Sequence, residues 1–203
     1  MPSLTSVLLS TLPLIAITLA TPVHPHPRRA QNSTVRTGKI NVFLPNPPGS
    51  QIPGQPVGCL DLSGRLAISS SNITNPVNGT VDAMANCAIY THEMKDNTGF
   101  AKTKAGDCGF HDPSEPDNPD SPGTSFRAWR CKEGLVRAPD GEDVLIISDN
   151  KPYNNLQTVS GSGVNWGIFS KSVPEEGEPV DIFTRDFDLG EGSIDLVWLW
   201  DGN

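Results

Sequence analysis

Two histidines stand in the part of the chain that reads as its folded domain, His92 in YTHE and His111 in CGFHDP. Imidazole titrates near neutral pH, so a histidine beside a carboxylate is the first place to look for general acid–base chemistry. Glu93 follows His92 directly, and these two with His111 form the candidate catalytic set of a small hydrolase. Their spacing already limits them. On a strand, successive side chains point to opposite faces, so Glu93 would diverge from His92 while Tyr90 shares its face.

The stretch DCGFHDPSEPDNPDSPGTSFRAWRC, from Asp107 to Cys131, places five acids (Asp107, Asp112, Glu115, Asp117, Asp120) in fourteen residues with no base among them. A calcium loop needs carboxylates that converge on one centre, usually around a glycine that permits a sharp turn. Pro113, Pro116, Pro119 and Pro122 impose extension instead, so the acids should splay from a stiff, exposed connection. Zinc is not expected either, because Cys59, Cys87, Cys108 and Cys131 are 28, 21 and 23 residues apart with no CxxC unit. There is no GxSxG, HExxH or phosphate loop, and SGSGVNW (160–166) lacks the third glycine of a dinucleotide fold and reads as a hairpin turn. No metal and no cofactor is expected.

Trp198 and Trp200 offer another chemistry. They alternate in SIDLVWLW beside Asp195 and Asp201, an arrangement that suits a sugar-stacking platform if the indoles face solvent and core packing if they do not. Val197 and Leu199 fall on the opposite face, so both faces of this strand should be partly buried.

Positioning these groups falls to an exported β protein. Residues 1–20 read as a signal peptide: Leu4 to Ala20 carries no charge and ends in small residues, and its apolar run is too short and too interrupted to anchor in a membrane. Residues 21–30 read as a pro-segment cut at the dibasic Arg28–Arg29, or as a flexible terminus. Asn32, Asn72 and Asn78 begin glycosylation sequons. Residues 31–203 fit one domain. In an oxidising compartment its four cysteines argue for two disulfides. Of the three possible pairings, Cys59–Cys87 and Cys108–Cys131 are favoured, because each brackets a turn-rich segment between candidate strands.

Those strands are 39–44, 64–69, 87–92, 126–131, 143–148, 165–170, 179–185 and 193–200, short apolar runs bounded by Gly, Pro, Asn and Asp. The expected fold is a mostly β, single-domain antiparallel sandwich or barrel, with at most one short helix, at TVDAMANC (80–87). The chain carries 15 basic and 23 acidic residues, a formal charge of −8. Loss of Arg28 and Arg29 takes this to −10, and residues 172–203 hold nine acids against Arg185 as their one base. That balance disfavours nucleic acid and anionic membranes as partners, and the acidic section reads as a solvated surface.

Two resemblances bear on function. Secreted fungal ribonucleases of the guanyl-specific type use a Tyr, two His, a Glu and an Arg on a sheet. The chain has those residue types in Tyr90, His92, Glu93, His111 and Arg127, a likeness of composition. Separately, GCLDLSGRLAI (58–68), VDAMANCAIYT (81–91), DCG (107–109) and the returning Cys131 resemble the pattern of small secreted, disulfide-containing, effector-like proteins of filamentous fungi. That resemblance implies a secreted, disulfide-stapled, mostly β protein that acts at a cell surface or on a host, and it transfers no functional residue. The leading expectation is therefore a non-enzymatic protein that binds a glycan or a host or cell-wall protein. A small hydrolase using His92 and nearby acids, ribonuclease-like or glycan-cleaving, is the alternative.

Overall fold

The computed structural model describes residues 34–68, 87–95, 98–138, 143, 145–148, 153–160, 163–165, 167–184 and 190–202. Among them every regular element is a strand. In chain order these are β1 (Thr34–Pro45), β2 (Pro53–Leu60), β3 (Leu66–Ala67), β4 (Tyr90–Lys95), β5 (Thr98–Thr103), β6 (Gly106–Gly109) and β7 (Arg130–Lys132). Then follow β8 (Leu145–Ile147), β9 (Leu156–Ser160), β10 (Gly163–Asn165), β11 (Ile168–Ser170), β12 (Phe183–Thr184) and β13 (Ile194–Gly202). All pairings are antiparallel.

The organising element is β1. One of its edges carries β13 over Gly38 to Phe43. The other is shared, by β4 over Thr34 to Gly38 and by β2 over Asn41 to Pro45. From β4 the sheet continues through β5, β8 and β9, and β6 and β7 branch from the far end of β5. Right-handed twist curls such a sheet. Here the curl brings β9 back to β13, where Asn155 bridges Leu199 and the Trp200 amide donates to the Asn154 carbonyl at 2.8 Å. The result is a half-barrel, an antiparallel sheet curled until its ends meet along this seam at one bridge among the described residues.

Alternation decides what fills it. Ile40 and Val42 of β1 face Trp200 and Trp198 of β13 across the ladder, and Tyr90, Ala101, Leu145 and Leu156 join them in the main core. The odd-numbered side chains Phe43, Val197 and Leu199 make a second, smaller cluster on the opposite face, with Tyr153 packed against it. Beyond the barrel, Phe110 and Trp129 extend the core toward β2, β3, β6 and β7.

The two disulfides join Cys59 to Cys87 and Cys108 to Cys131. The second lies between directly opposed residues of β6 and β7, so Cys108 to Cys131 is a covalently closed excursion from the sheet. The expected helix falls largely outside the described residues, and Cys87 and Ala88 at its end are irregular.

Candidate functional site

His92 lies on β4 with its ring in the barrel interior, fully buried. Its Nε2–H donates to the Leu145 carbonyl at 2.9 Å, and the Trp200 ring lies 5.9 Å away between centroids. Gly99 of β5 lies directly beside the ring, where an added Cβ would come within 2.0 Å of Nε2, so only glycine leaves the imidazole its space. Burial pushes the His92 pKa below its ordinary value. The bond to Leu145 opposes that shift, and the positive charge of Arg36 on the paired strand adds to it. A neutral imidazole sealed in a core cannot reach a substrate.

The rest of the candidate set is dispersed. Glu93 is exposed on the outer face of the sheet, opposite Val35 and Phe100. The Tyr90 hydroxyl is buried and donates to the Asp61 carbonyl at 2.9 Å, and burial raises its pKa well above the ordinary phenol value. His111 pairs through Nδ1 with Asp143 at 2.7 Å and packs against Phe126 at 5.0 Å. Arg127 is engaged by Asp117 at 2.5 Å. The ribonuclease-type residues therefore do not share one cleft. Sequence reasoning missed Asp143, which is buried and also accepts the amides of Phe110 at 2.6 Å and Ala138 at 2.9 Å. A His–Asp pair whose carboxylate ties down two backbone segments reads as a structural post.

Trp198 and Trp200 are 1% and 4% exposed, packed in the main core, so neither presents an indole face to a sugar. Their strand is buried on both faces, and a ring pointing at Val42 or Ile40 is covered by the rest of the barrel.

The acid-rich excursion is ordered by cations, Arg127 and Arg130 of its own and others from elsewhere in the chain. Lys132 donates to Glu115 at 2.5 Å, to Ser114 at 2.7 Å and to Asp112 at 3.0 Å, and Arg130 bonds Glu115 at 3.0 Å. Asp120 takes Lys171 at 2.6 Å, the Ser193 hydroxyl at 2.6 Å and the Gly190 amide at 2.9 Å. Asp107 meets Lys102 at 3.5 Å and Arg137 at 3.1 Å. Each acid thus has a cationic partner, and among the described residues no group of three His, Cys, Asp or Glu could hold a metal ion. Burial would raise the Asp112 pKa, but hydrogen bonds from the Ser114 hydroxyl and amide, from Lys132 and from the Val136 amide hold it well below the carboxylate range. Lys132 is held above its ordinary value, chiefly by its bond to Glu115. The close Ser114–Lys132 contact is therefore no general-base dyad, because that lysine keeps its proton.

The groups that do face solvent together line an open trough of about 410 Å³. It runs between the 117–119 loop, Lys171–Ser172 after β11, the 179–183 segment, and Arg65. Asp181 accepts Arg65 Nε at 3.2 Å and Arg130 Nη2 at 2.7 Å, which fixes both its carboxylate and the Arg65 stem. A second trough of about 430 Å³, lined by Asp61, Leu62, Glu175 and Glu178 among others, adjoins it at Pro179. Neither was legible in the sequence, because Arg65 and Asp181 are 116 residues apart and carry no local motif.

Arg28, Arg29, Asn32, Asn72 and Asn78 lie outside the described residues. Among the described residues no helix is long and apolar enough to cross a membrane, and two disulfides are compatible with an extracellular protein. No family model matches the chain, and no curated protein or solved structure is similar enough to it to count as a match.

Proposed function

We propose that this chain is an exported, non-catalytic protein that works by binding at its surface, to a glycan or to a protein of a cell wall or host. The observation that carries this reading is the fate of His92, the residue best suited by type to proton transfer. It is sealed in the barrel as a neutral core side chain, while the polar groups that meet solvent together line a rigid trough with no nucleophile–base pair in it. The two disulfides, the leader-like first 20 residues and the likeness to small secreted fungal proteins support the same reading.

The test is to assay the purified protein for turnover of RNA and of cell-wall polysaccharides, and for retention on insoluble polysaccharide and on immobilised cell-wall protein. Retention without turnover is the expected result. Turnover that disappears in His92→Ala, with the variant still folded, would overturn the proposal.

A further inference from the structure

We infer that the trough between Arg65, Asp117, Ser172 and Asp181 is a binding site for a neutral, hydroxyl-rich oligosaccharide. This rests on the binding function proposed above and narrows it to one ligand class at one place.

The first argument is hydrogen-bonding capacity. Asp181 uses Oδ1 for both Arg65 and Arg130, leaving Oδ2 without a partner among the described residues. Arg65 uses Nε for Asp181, leaving its Nη1 and Nη2 fork in a side chain that is 38% exposed. Asp117 uses Oδ1 for Arg127 and keeps Oδ2 at the rim. A fixed guanidinium fork and two carboxylate oxygens are donors and acceptors of the kind that adjacent hydroxyls satisfy together, since each hydroxyl both donates and accepts. Hydrogen bonds to charged groups are stronger than those between neutral ones.

The second argument is charge. Arg65 and Lys171 contribute two positive charges to the lining, and Asp117 and Asp181 two negative ones. An anionic ligand would meet both carboxylates, a cationic one both bases, and a neutral polyol neither penalty. The net negative charge of the whole chain weighs further against anions.

The third argument is shape and rigidity. Pro119, Pro179 and Val180 give the trough apolar walls against which the C–H face of a sugar ring can lie. Arg130 is itself held by Glu115, and the Arg65 amide donates to Asp61 Oδ1 at 2.8 Å, so the polar groups are positioned before any ligand arrives. Continuation past Pro179 into the second trough provides room for a chain rather than a single ring.

The experiment is an NMR titration of the ¹⁵N-labelled mature chain with three probe types: neutral hexasaccharides (a β-glucan and an N-acetylated chitohexaose), an oligogalacturonate hexamer and a chitosan hexamer. The expected result is that a neutral hexasaccharide shifts the amides of Arg65, Ser172 and Asp181, and that Arg65→Lys and Asp117→Asn each weaken it at least tenfold with thermal midpoints unchanged. Asp117 is exposed and Arg65→Lys keeps a charge for Asp181 at a part-exposed position, so both variants should fold. Binding that maps elsewhere, equal or tighter binding of a charged hexamer, or insensitivity to both variants would overturn the inference and leave the binding function standing. So would retention of a cell-wall protein with no response to any neutral sugar. Turnover lost in His92→Ala would instead bring down the proposed function beneath it.

Discussion

His92 shows how a residue suited to catalysis becomes a constraint on stability. Its folded-state pKa is lowered, mainly by burial, and among the described residues the charge acting on it across the sheet is the cationic Arg36; Gly99 and Ala101 on β5, Leu145 on β8 and Trp200 on β13 bring no ionisable group to it. Below the ordinary histidine value of about 6.5 the unfolded chain takes up a proton that the folded one refuses, so stability is present above that pH and falls as pH drops through it. The slope is at most about 1.4 kcal/mol per pH unit, until the folded-state pKa is reached. Asp112 and Asp120, both held below the carboxylate range, act in a separate window that opens only below about pH 4. Urea midpoints measured between pH 7.5 and 5 should therefore fall more steeply for the native chain than for His92→Gln, which keeps a donor for the Leu145 carbonyl. Parallel curves for the two proteins would show that His92 is not the group that titrates.

At the scale of elements, the acid-rich excursion is held by more than its disulfide. Asp120, with a side chain only 6% exposed, gathers Lys171, the Ser193 hydroxyl and the Gly190 amide, tying the proline-rich loop to the approach of β13. Burial acts to raise its pKa, and the bonds from Lys171, Ser193 and Gly190 outweigh it. Asp120→Ala should cost about 2 kcal/mol, the range for losing charge-assisted hydrogen bonds when the remaining cation can return to water. A denaturant midpoint unchanged within about 0.5 kcal/mol would remove that staple from the account. This interaction could not be read in advance because its partners are 51 to 73 residues apart. Strands show the same division. β1, β8 and β13 were legible from their apolar runs, and the disulfide pairing from the segments it brackets. β2 (PGQPVGCL) was hidden by prolines and glycines that normally break strands; it holds them through two register shifts against β1. β5 (TGFAKT) was hidden because Gly99 and Ala101, its inward residues, are small, and Gly99 is small because the His92 ring occupies the space.

At the scale of the molecule, the sheet is thinnest at two junctions among the described residues: β5 meets β8 only at Gly99 and Leu145, and β9 meets β13 at a single bridge. β13 is matched to β1 at six consecutive positions, with tryptophans on the inner face and Val197 and Leu199 on the outer. Against β9 the same strand has, among the described residues, one bridge, Asn155 to Leu199, accompanied by the Trp200 amide bond to Asn154. Local opening follows the fewest interactions that must break, so the seam should part while β1 and β13, matched at six positions, stay paired. Neighbouring amides provide an internal control. Backbone alternation points Trp200 N–H across the seam and Leu199 N–H toward Asn41 of β1. Native-state hydrogen exchange should therefore find the Trp200 amide exchanging through a smaller opening that depends weakly on denaturant, while Leu199 exchanges only as β1 and β13 separate. Equal protection of the two, with the same denaturant dependence, would mean that the seam opens only when the whole sheet does, and that curling the sheet closed contributes as much as pairing its strands.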